Sequence, residues 1–318
     1  MNQRTYKNRL AIVVATKDRP EQLRSVLSCI QGQSFTPDQI VVVDGGDRTV
    51  AEVAQEFGGL PIDYITVRPP GLTRQKNAGV AAARPEINLV AMVDDDMVFD
   101  DGSFAVMMDF WEEAPQDMGG ACFNLPDFEN TKSRLKSLPQ RLFFIDNSQM
   151  GRVHRSGFNT PIWNVKDDSL VQWLGGGYTV WRKQVFDHLQ FDEWFKGSGL
   201  WEDVRFSRQV ARDYRLAIVA KATATHVDAP VTPDRQLSLG KTQIVNWMYY
   251  VNNDGDLSVL MCLWACIGRT GTNLAKGIVK LDRGLILKGV GNFLGLLSSA
   301  LGASRSGRGG NTNQALKV

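Results

Sequence analysis

Short apolar runs recur through the first hundred residues at the spacing a doubly wound fold requires. Residues 10–15 (LAIVVA), 40–43 (IVVV), 62–67 and 87–93 (INLVAMV) read as strands. Between them, residues 20–31, 50–57 and 71–83 read as helices; the first is entered through Asp18 and Pro20, and the second is stopped by Gly58-Gly59. Strands alternating with helices of this length specify an α/β architecture, Rossmann-like, with a mostly parallel sheet flanked by helices. Such sheets bind ligands in the crevice beyond the carboxyl ends of their strands. The residues that follow each run are therefore the ones to weigh.

Those residues are polar. Thr16-Lys17-Asp18-Arg19 follow the first run, Asp44 the second and Asp94-Asp95-Asp96 the fourth, while Arg74, Lys76 and Asn77 lie in the opening turns of the third helix. Three adjacent carboxylates repel one another unless a cation sits among them. An all-oxygen set suits Mg²⁺ or Mn²⁺, ions that usually hold substrate phosphates. A carboxylate can accept the N3–H of a pyrimidine, and a basic helix N-terminus such as Arg74 and Lys76 can face a diphosphate. Taken together these groups describe a nucleotide-diphosphate cradle. Taken singly, Asp18 and Asp44 are also ordinary helix caps, Arg74 and Lys76 an ordinary solvated face, and the triplet an ordinary acidic turn.

Beyond residue 101 the pattern loosens. A helix is expected over 103–113, a short strand over 121–125, a strand over 172–181 interrupted by Gly175-Gly176-Gly177, a helix over 204–214 and a strand over 216–220. Residues 127–170 are polar and irregular, a long segment of the kind that lines an acceptor site or forms a lid.

In order along the chain, ATKDRPEQL, VVVDGGD, TRQKNAG, VDDD, GGGYTVWR and SGLWEDVRFSRQ resemble the motifs of family 2 glycosyltransferases of the GT-A fold. The resemblance spans about residues 9–228. It implies an inverting transfer of one sugar from a nucleotide-diphospho-sugar, with UDP, dTDP and GDP all open, to a hydroxyl of a glycan or lipid-linked acceptor. In that frame Thr16, Asp18, Arg19, Asp44, Arg74, Lys76, Asn77, Asp94 and Asp95 would hold the donor. Asp96 and Asp94 would hold Mg²⁺ or Mn²⁺, and His226, in ATATHVDAP, would stand where some relatives place a third metal contact. Asp203 would be the general base with Glu202 its neighbour, a carboxylate whose pKa its surroundings raise. Gly176, Gly177, Trp201 and Arg208 would meet the acceptor or donor sugar. The sequence departs from the family pattern in two places. Lys17-Asp18 stands where Asn is frequent, and the Q-x-x-R-W motif of the processive synthases is missing, which favours a single transfer.

Charge is distributed unevenly. From Gly268 onward there are eight Lys/Arg against one acid, Asp282. There Ile286, Val290, Phe293, Leu294, Leu297 and Leu301 fall on one helical face, with a similar stripe at Leu274, Ile278, Leu281 and Leu285. Basic amphipathic helices over 270–303 suit an anionic membrane surface; packing on the catalytic domain or on a second subunit fits the pattern equally. The expected divisions are 1–100 (nucleotide-binding half), 101–230 (acceptor half), 231–303 (helical extension) and 304–318 (disordered tail).

No run approaches the roughly 20 apolar residues of a membrane span. The N-terminus lacks a secretory apolar region, and Cys29, Cys122, Cys262 and Cys266 show no metal-ligand spacing. The expectation is a cytoplasmic enzyme, peripheral on the membrane if the tail binds there. Nucleic acid is not an expected partner, because the basic residues gather in one amphipathic tail. ATKDRP lacks the Gly-rich loop of nucleotidyltransferases. An inactive nucleotide-sugar-binding scaffold is the remaining alternative.

Overall fold

The computed structural model describes residues 5–126, 138–145, 149–162, 164–195, 199–227 and 232–306. Along the chain run β1 (Leu10–Thr16), α1 (Pro20–Gln31), β2 (Gln39–Asp44), α2 (Ala51–Glu56), β3 (Ile62–Thr66), α3 (Leu72–Ala81), β4 (Leu89–Asp94) and β5 (Met97–Phe99). There follow α4 (Ser103–Glu113), β6 (Met118–Asn124), α5 (Leu138–Leu142), β7 (Ser169–Val171), β8 (Tyr178–Arg182), α6 (Glu202–Val210), β9 (Arg215–His226), α7 (Pro233–Asn252), α8 (Val259–Lys280) and α9 (Arg283–Ser306). These fall into two units: residues 1–137, 147–153 and 159–229 form the first, and 138–146, 154–158 and 230–318 the second.

The first unit is built on one mixed sheet in the order β3-β2-β1-β4-β8-β6-β9-β5, with β7 also against β9. Its N-terminal half, β3-β2-β1-β4, is wholly parallel. The chain winds outward from β1 to β3 and then returns to lay β4 on the other side of β1. Registers set Thr16 opposite Asp44 and Ala15 opposite Asp94, so three of the expected polar ends share one rim at this reversal. Leu10, Ile12 and Val14 join the core with Leu23, Val26, Leu27 and Ile30 of α1. On the opposite face α3 presses so close that a methyl on Gly79 would strike the side chain of Val13.

Three expected boundaries shift for physical reasons. The glycine triplet does not interrupt a strand; it forms the turn between β7 and β8. Strand β9 runs on to His226 rather than ending near Ala220, because its second half pairs with β5. Helix α6 begins at Glu202, which puts both acids of the pair in its first turn. Within 127–170, residues 127–137, 146–148 and 163 lie outside the described residues, as do 307–318.

In the second unit α7, α8 and α9 pack on one another through small and polar residues. A methyl on Gly240 would strike the backbone of Lys288, and one on Gly291 the backbone of Leu237. Asn292 is fully buried; its amide donates to Gly240 O (2.8 Å) and accepts from Asn273 Nδ2 (2.8 Å), tying the three helices together. Among the described residues one helical segment, Arg283–Leu301, is long and apolar enough to cross a membrane by length and composition. This corrects the expectation of no such segment. Glycines, Lys288 and Asn292 interrupt the apolar run without making the segment polar.

Candidate active site

One part of the rim is arranged around α3. Its buried face carries Thr73, Gln75, Lys76 and Gly79, and Gly79 brings that face onto the sheet. Gln75 Nε2 donates to Thr16 O (2.9 Å) and Val43 O (2.8 Å), fastening the ends of β1 and β2 together. Sequence reasoning passed over Gln75, since an amide flanked by charges gives no signal of tertiary use. Lys76, expected on an exposed helix end facing phosphate, is instead sealed inside. It is the fifth residue of α3, beyond the first turn, and shares the buried face with Gly79. Its Nζ donates to Glu202 Oε1 (2.5 Å) and Gly176 O (2.8 Å).

The turn at Gly176-Gly177 links this pair to the acidic rim. Gly177 O accepts the Asp94 amide at 2.9 Å, and a methyl on Gly177 would overlap the Asp94 carboxylate. A methyl on Gly176 would lie 3.0 Å from both Glu202 Oε1 and Lys76 Nζ, and 3.5 Å from Asp203 Cβ. Asp94, Lys76, Glu202 and Asp203 therefore converge on two glycines that leave no room for side chains. Glu202 is buried, and its Oε2 has no hydrogen-bond partner. Burial pushes its carboxyl up to about 7 against the pull of Lys76. Burial also raises Asp94 and Asp203, each opposed by Lys76. For Lys76 burial acts downward, but the surrounding carboxylates outweigh it and its pKa ends above the ordinary lysine value. Asp203 Oδ1 accepts the Val204 amide at 2.8 Å. Trp201 sits just before this turn with φ 75°, which swings the chain into α6.

A second cluster lies where β4 turns into β5. Asp95 is buried, receives the Thr16 hydroxyl at 2.8 Å and pairs with Arg19 at 2.5 Å. Burial raises it to about 6 despite those partners. Arg19 also reaches Asp96 at 3.2 Å. Pairing of Met97 with His226 brings the imidazole alongside, with Nε2 3.3 Å from Asp96 Oδ1. Burial raises Asp96, but His226 and Arg19 outweigh it and hold the carboxyl below its usual value. The carboxylate suits Mg²⁺ or Mn²⁺, and the imidazole beside it suits Mn²⁺ better than the harder Mg²⁺; such ions take one or two protein ligands and complete their shell with phosphate and water. Among the described residues no three His, Cys, Asp or Glu side chains are gathered closely enough to hold a metal by themselves.

The remaining expected site residues make contacts within the chain. Asp44 is fully buried, receiving the Tyr64 hydroxyl (2.5 Å), the Gly46 amide (2.7 Å) and the Val50 amide (3.4 Å). It organises the loop after β2, which Arg68 grips through Asp44 O and Gly46 O. Asp18, at φ 53°, accepts the Arg48 amide at 3.1 Å and buttresses the same loop. Asn77 exchanges two hydrogen bonds with the backbone of Phe191, both 2.9 Å. Arg74 pairs with Glu193 at 2.9 Å, and Arg208 lies in the last turn of α6, part-buried. Of the expected set, Thr16, Arg19, Lys76, Asp94, Asp95, Asp96, Gly176, Gly177, Glu202, Asp203 and His226 are brought together in these two clusters.

The family described as Glycosyl transferase family 2 matches residues 11–187, more than half of the chain. Among solved structures, mannosyltransferase PcManGT from Pyrobaculum calidifontis, in complex with GDP-Man and Mn²⁺, aligns with 14% identity and a TM-score of 0.58, over 93% of this chain and 88% of its own. S. aureus TarS 1-349 aligns with 11% identity and a TM-score of 0.52, over 94% and 92%. Against longer S. aureus TarS the identity is 15% and the TM-score 0.48, over 83% of this chain; the chain spans 43% of that protein's length. No curated protein matched by sequence. The fold is GT-A.

Proposed function

This chain belongs to glycosyl transferase family 2, and we propose that it moves one sugar from a nucleotide-diphospho-sugar to an acceptor hydroxyl with inversion at the anomeric carbon. The observation that carries the reading is the convergence of Asp94, Lys76, Glu202 and Asp203 on the Gly176-Gly177 turn. Asp203 is the general base. Its carboxyl is raised by burial and is not locked into the Lys76 pair, so it can take the acceptor proton as the hydroxyl oxygen bonds to the anomeric carbon. The bond from that carbon to the diphosphate breaks, and the electron pair leaves with the phosphate oxygen. Glu202 serves as a positioning residue, since Lys76 holds it 2.5 Å away. The glycines let the donor sugar approach the backbone.

Asp96 and His226, with Asp94 nearby, would hold a divalent cation. When bound, that cation supplies positive charge to the departing diphosphate. Arg19, already seated on the acidic cluster, is placed to follow the phosphates. The PcManGT complex with GDP-Man and Mn²⁺, on a fold of the same kind, supports a nucleotide sugar and Mn²⁺ as the pair to try first. UDP, dTDP and GDP donors stay on the list, and a glycan or lipid-linked alcohol is the acceptor class.

The test is a calorimetric titration of UDP, dTDP and GDP in Mn²⁺, in Mg²⁺ and in EDTA, followed by donor hydrolysis. Metal-dependent binding of one diphosphate, abolished in Asp96→Ala, is the expected result. Binding without any donor turnover would favour the inactive scaffold. No binding would reject both.

A further inference from the structure

The helices of the second unit are apolar outside as well as inside. Their mutual contacts hold Gly240, Gly277, Gly289, Gly291, Asn273 and Asn292 beside buried Ile244, Cys262, Ala265 and Cys266, and their outward faces are apolar too. On α8 the exposed stripe is Leu260, Leu263, Trp264 and Ile267, continuing through Gly271 and Ala275 to Ile278; on α9 it is Val290, Phe293, Leu294, Leu297 and Leu301. These positions recur at i, i+3, i+4 and i+7, the spacing of a single helical face. Of the exposed large hydrophobics among the described residues, 13 of 18 lie between Val259 and Leu301. A contiguous apolar patch of this kind marks an interaction surface.

The turn between α8 and α9 indicates what covers it. Leu281 ends α8 with φ 51°, a left-handed position at which glycine is the usual occupant. A leucine there is strained, and at 89% exposure no packing accounts for it. Val279 beside it is 84% exposed. The same stretch carries exposed Lys276, Lys280 and Arg283. Its lone acid, Asp282, receives the Leu285 amide at 3.0 Å and caps α9, so the stretch carries a net positive charge. Apolar tips flanked by cations match the layered chemistry of an anionic bilayer, with acyl chains beneath and phosphates above. A second copy of this chain would bring like charges face to face, which disfavours self-association.

We propose that the outward faces of α8 and α9 dock on an anionic lipid bilayer, with Val279 and Leu281 inserted below the headgroups and Lys276, Lys280 and Arg283 on the phosphates. The helices lie along the surface, because α9 is tied to α7 through Gly291 and Asn292. This docking stands independently of the sugar-transfer reading.

Flotation of the full chain with vesicles of pure phosphatidylcholine, and with vesicles containing one-third phosphatidylglycerol, tests the proposal. The protein is expected to float with the anionic vesicles and to be released by salt. Val279→Ser with Leu281→Ser removes side chains that pack on nothing, so it leaves the fold intact. It should cut partitioning at least tenfold. Lys276→Gln with Lys280→Gln should cut it on the order of thirtyfold, and nucleotide titrations should be unchanged in both pairs. Failure of the wild type to float overturns the proposal, as does wild-type flotation by both variants. A lipid-free dimer dispersed by Leu263→Ser would assign the face to a second copy instead.

Discussion

Lys76 Nζ stands 2.5 Å from Glu202 Oε1, and both side chains are almost wholly removed from water. Breaking a buried pair leaves one uncompensated charge, at a cost of about 3–5 kcal/mol. At pH 8, where the wild-type Glu202 carboxyl is ionised, Lys76→Met should therefore lower the unfolding free energy in urea by up to about that amount. Lys76→Met combined with Glu202→Gln should recover much of the loss. A double variant as unstable as the single would show that the charge of Glu202 is not what Lys76 compensates.

Glu202 also sets a pH dependence. Its carboxyl rises from the ordinary 4.5 to about 7 on folding, chiefly through burial. The folded chain thus binds more protons than the unfolded chain between those values. The stabilisation from the protonated group is complete below about pH 4.5 and is lost as pH rises through 7. The stability of the wild type relative to Glu202→Gln should fall over that window, by on the order of 3 kcal/mol. Urea midpoints of the two proteins at pH 5 and pH 8 provide the check, and a gap that widens in favour of the wild type at high pH contradicts it.

Asp203→Asn should lower the transfer rate by about 10²–10⁴-fold, the usual contribution of a general base. Because the carboxylate is assigned to the acceptor proton, affinity for the nucleotide donor should change little. Initial rates beside calorimetric donor binding separate the two effects. Full activity in this variant would end the assignment.

Arg19 contacts both Asp95 and Asp96 and so competes with any cation for Asp96. Arg19→Ala should raise Mn²⁺ affinity in the absence of nucleotide by several-fold, read by calorimetry or by the spectrum of free Mn²⁺. Affinity for the nucleoside diphosphate should fall if the guanidinium follows the phosphates. Unchanged Mn²⁺ affinity would show that Arg19 and the metal do not share a carboxylate.

The parallel half of the sheet was legible because buried strands are written as continuous apolar runs, and their carboxyl ends could be read directly. The pairing of Lys76 with Glu202 was not, since the two are 126 positions apart and only tertiary structure joins them. Lys76 looked like a solvent-facing helix cation because nothing local reveals that Gly79 turns its face onto Val13. His226 was named through the family resemblance, not from its local sequence. Its place beside Asp96 comes from the extension of β9 along β5, which a short polar strand end does not advertise. Helix α7 was not singled out within the expected helical extension. Its buried stripe of Ile244, Trp247 and Val251 could have been read; its backbone contact with α9 at Gly240 could not.

The glycine contact between α7 and α9 has a consequence for how this unit tolerates change. Where backbones touch directly at Gly240 and Gly291, selection acts against volume of any kind. On the outward stripes, one apolar side chain can replace another with little effect. A saturation library should therefore find Gly240 and Gly291 intolerant of almost anything larger than hydrogen. The outward stripe positions will be the permissive ones.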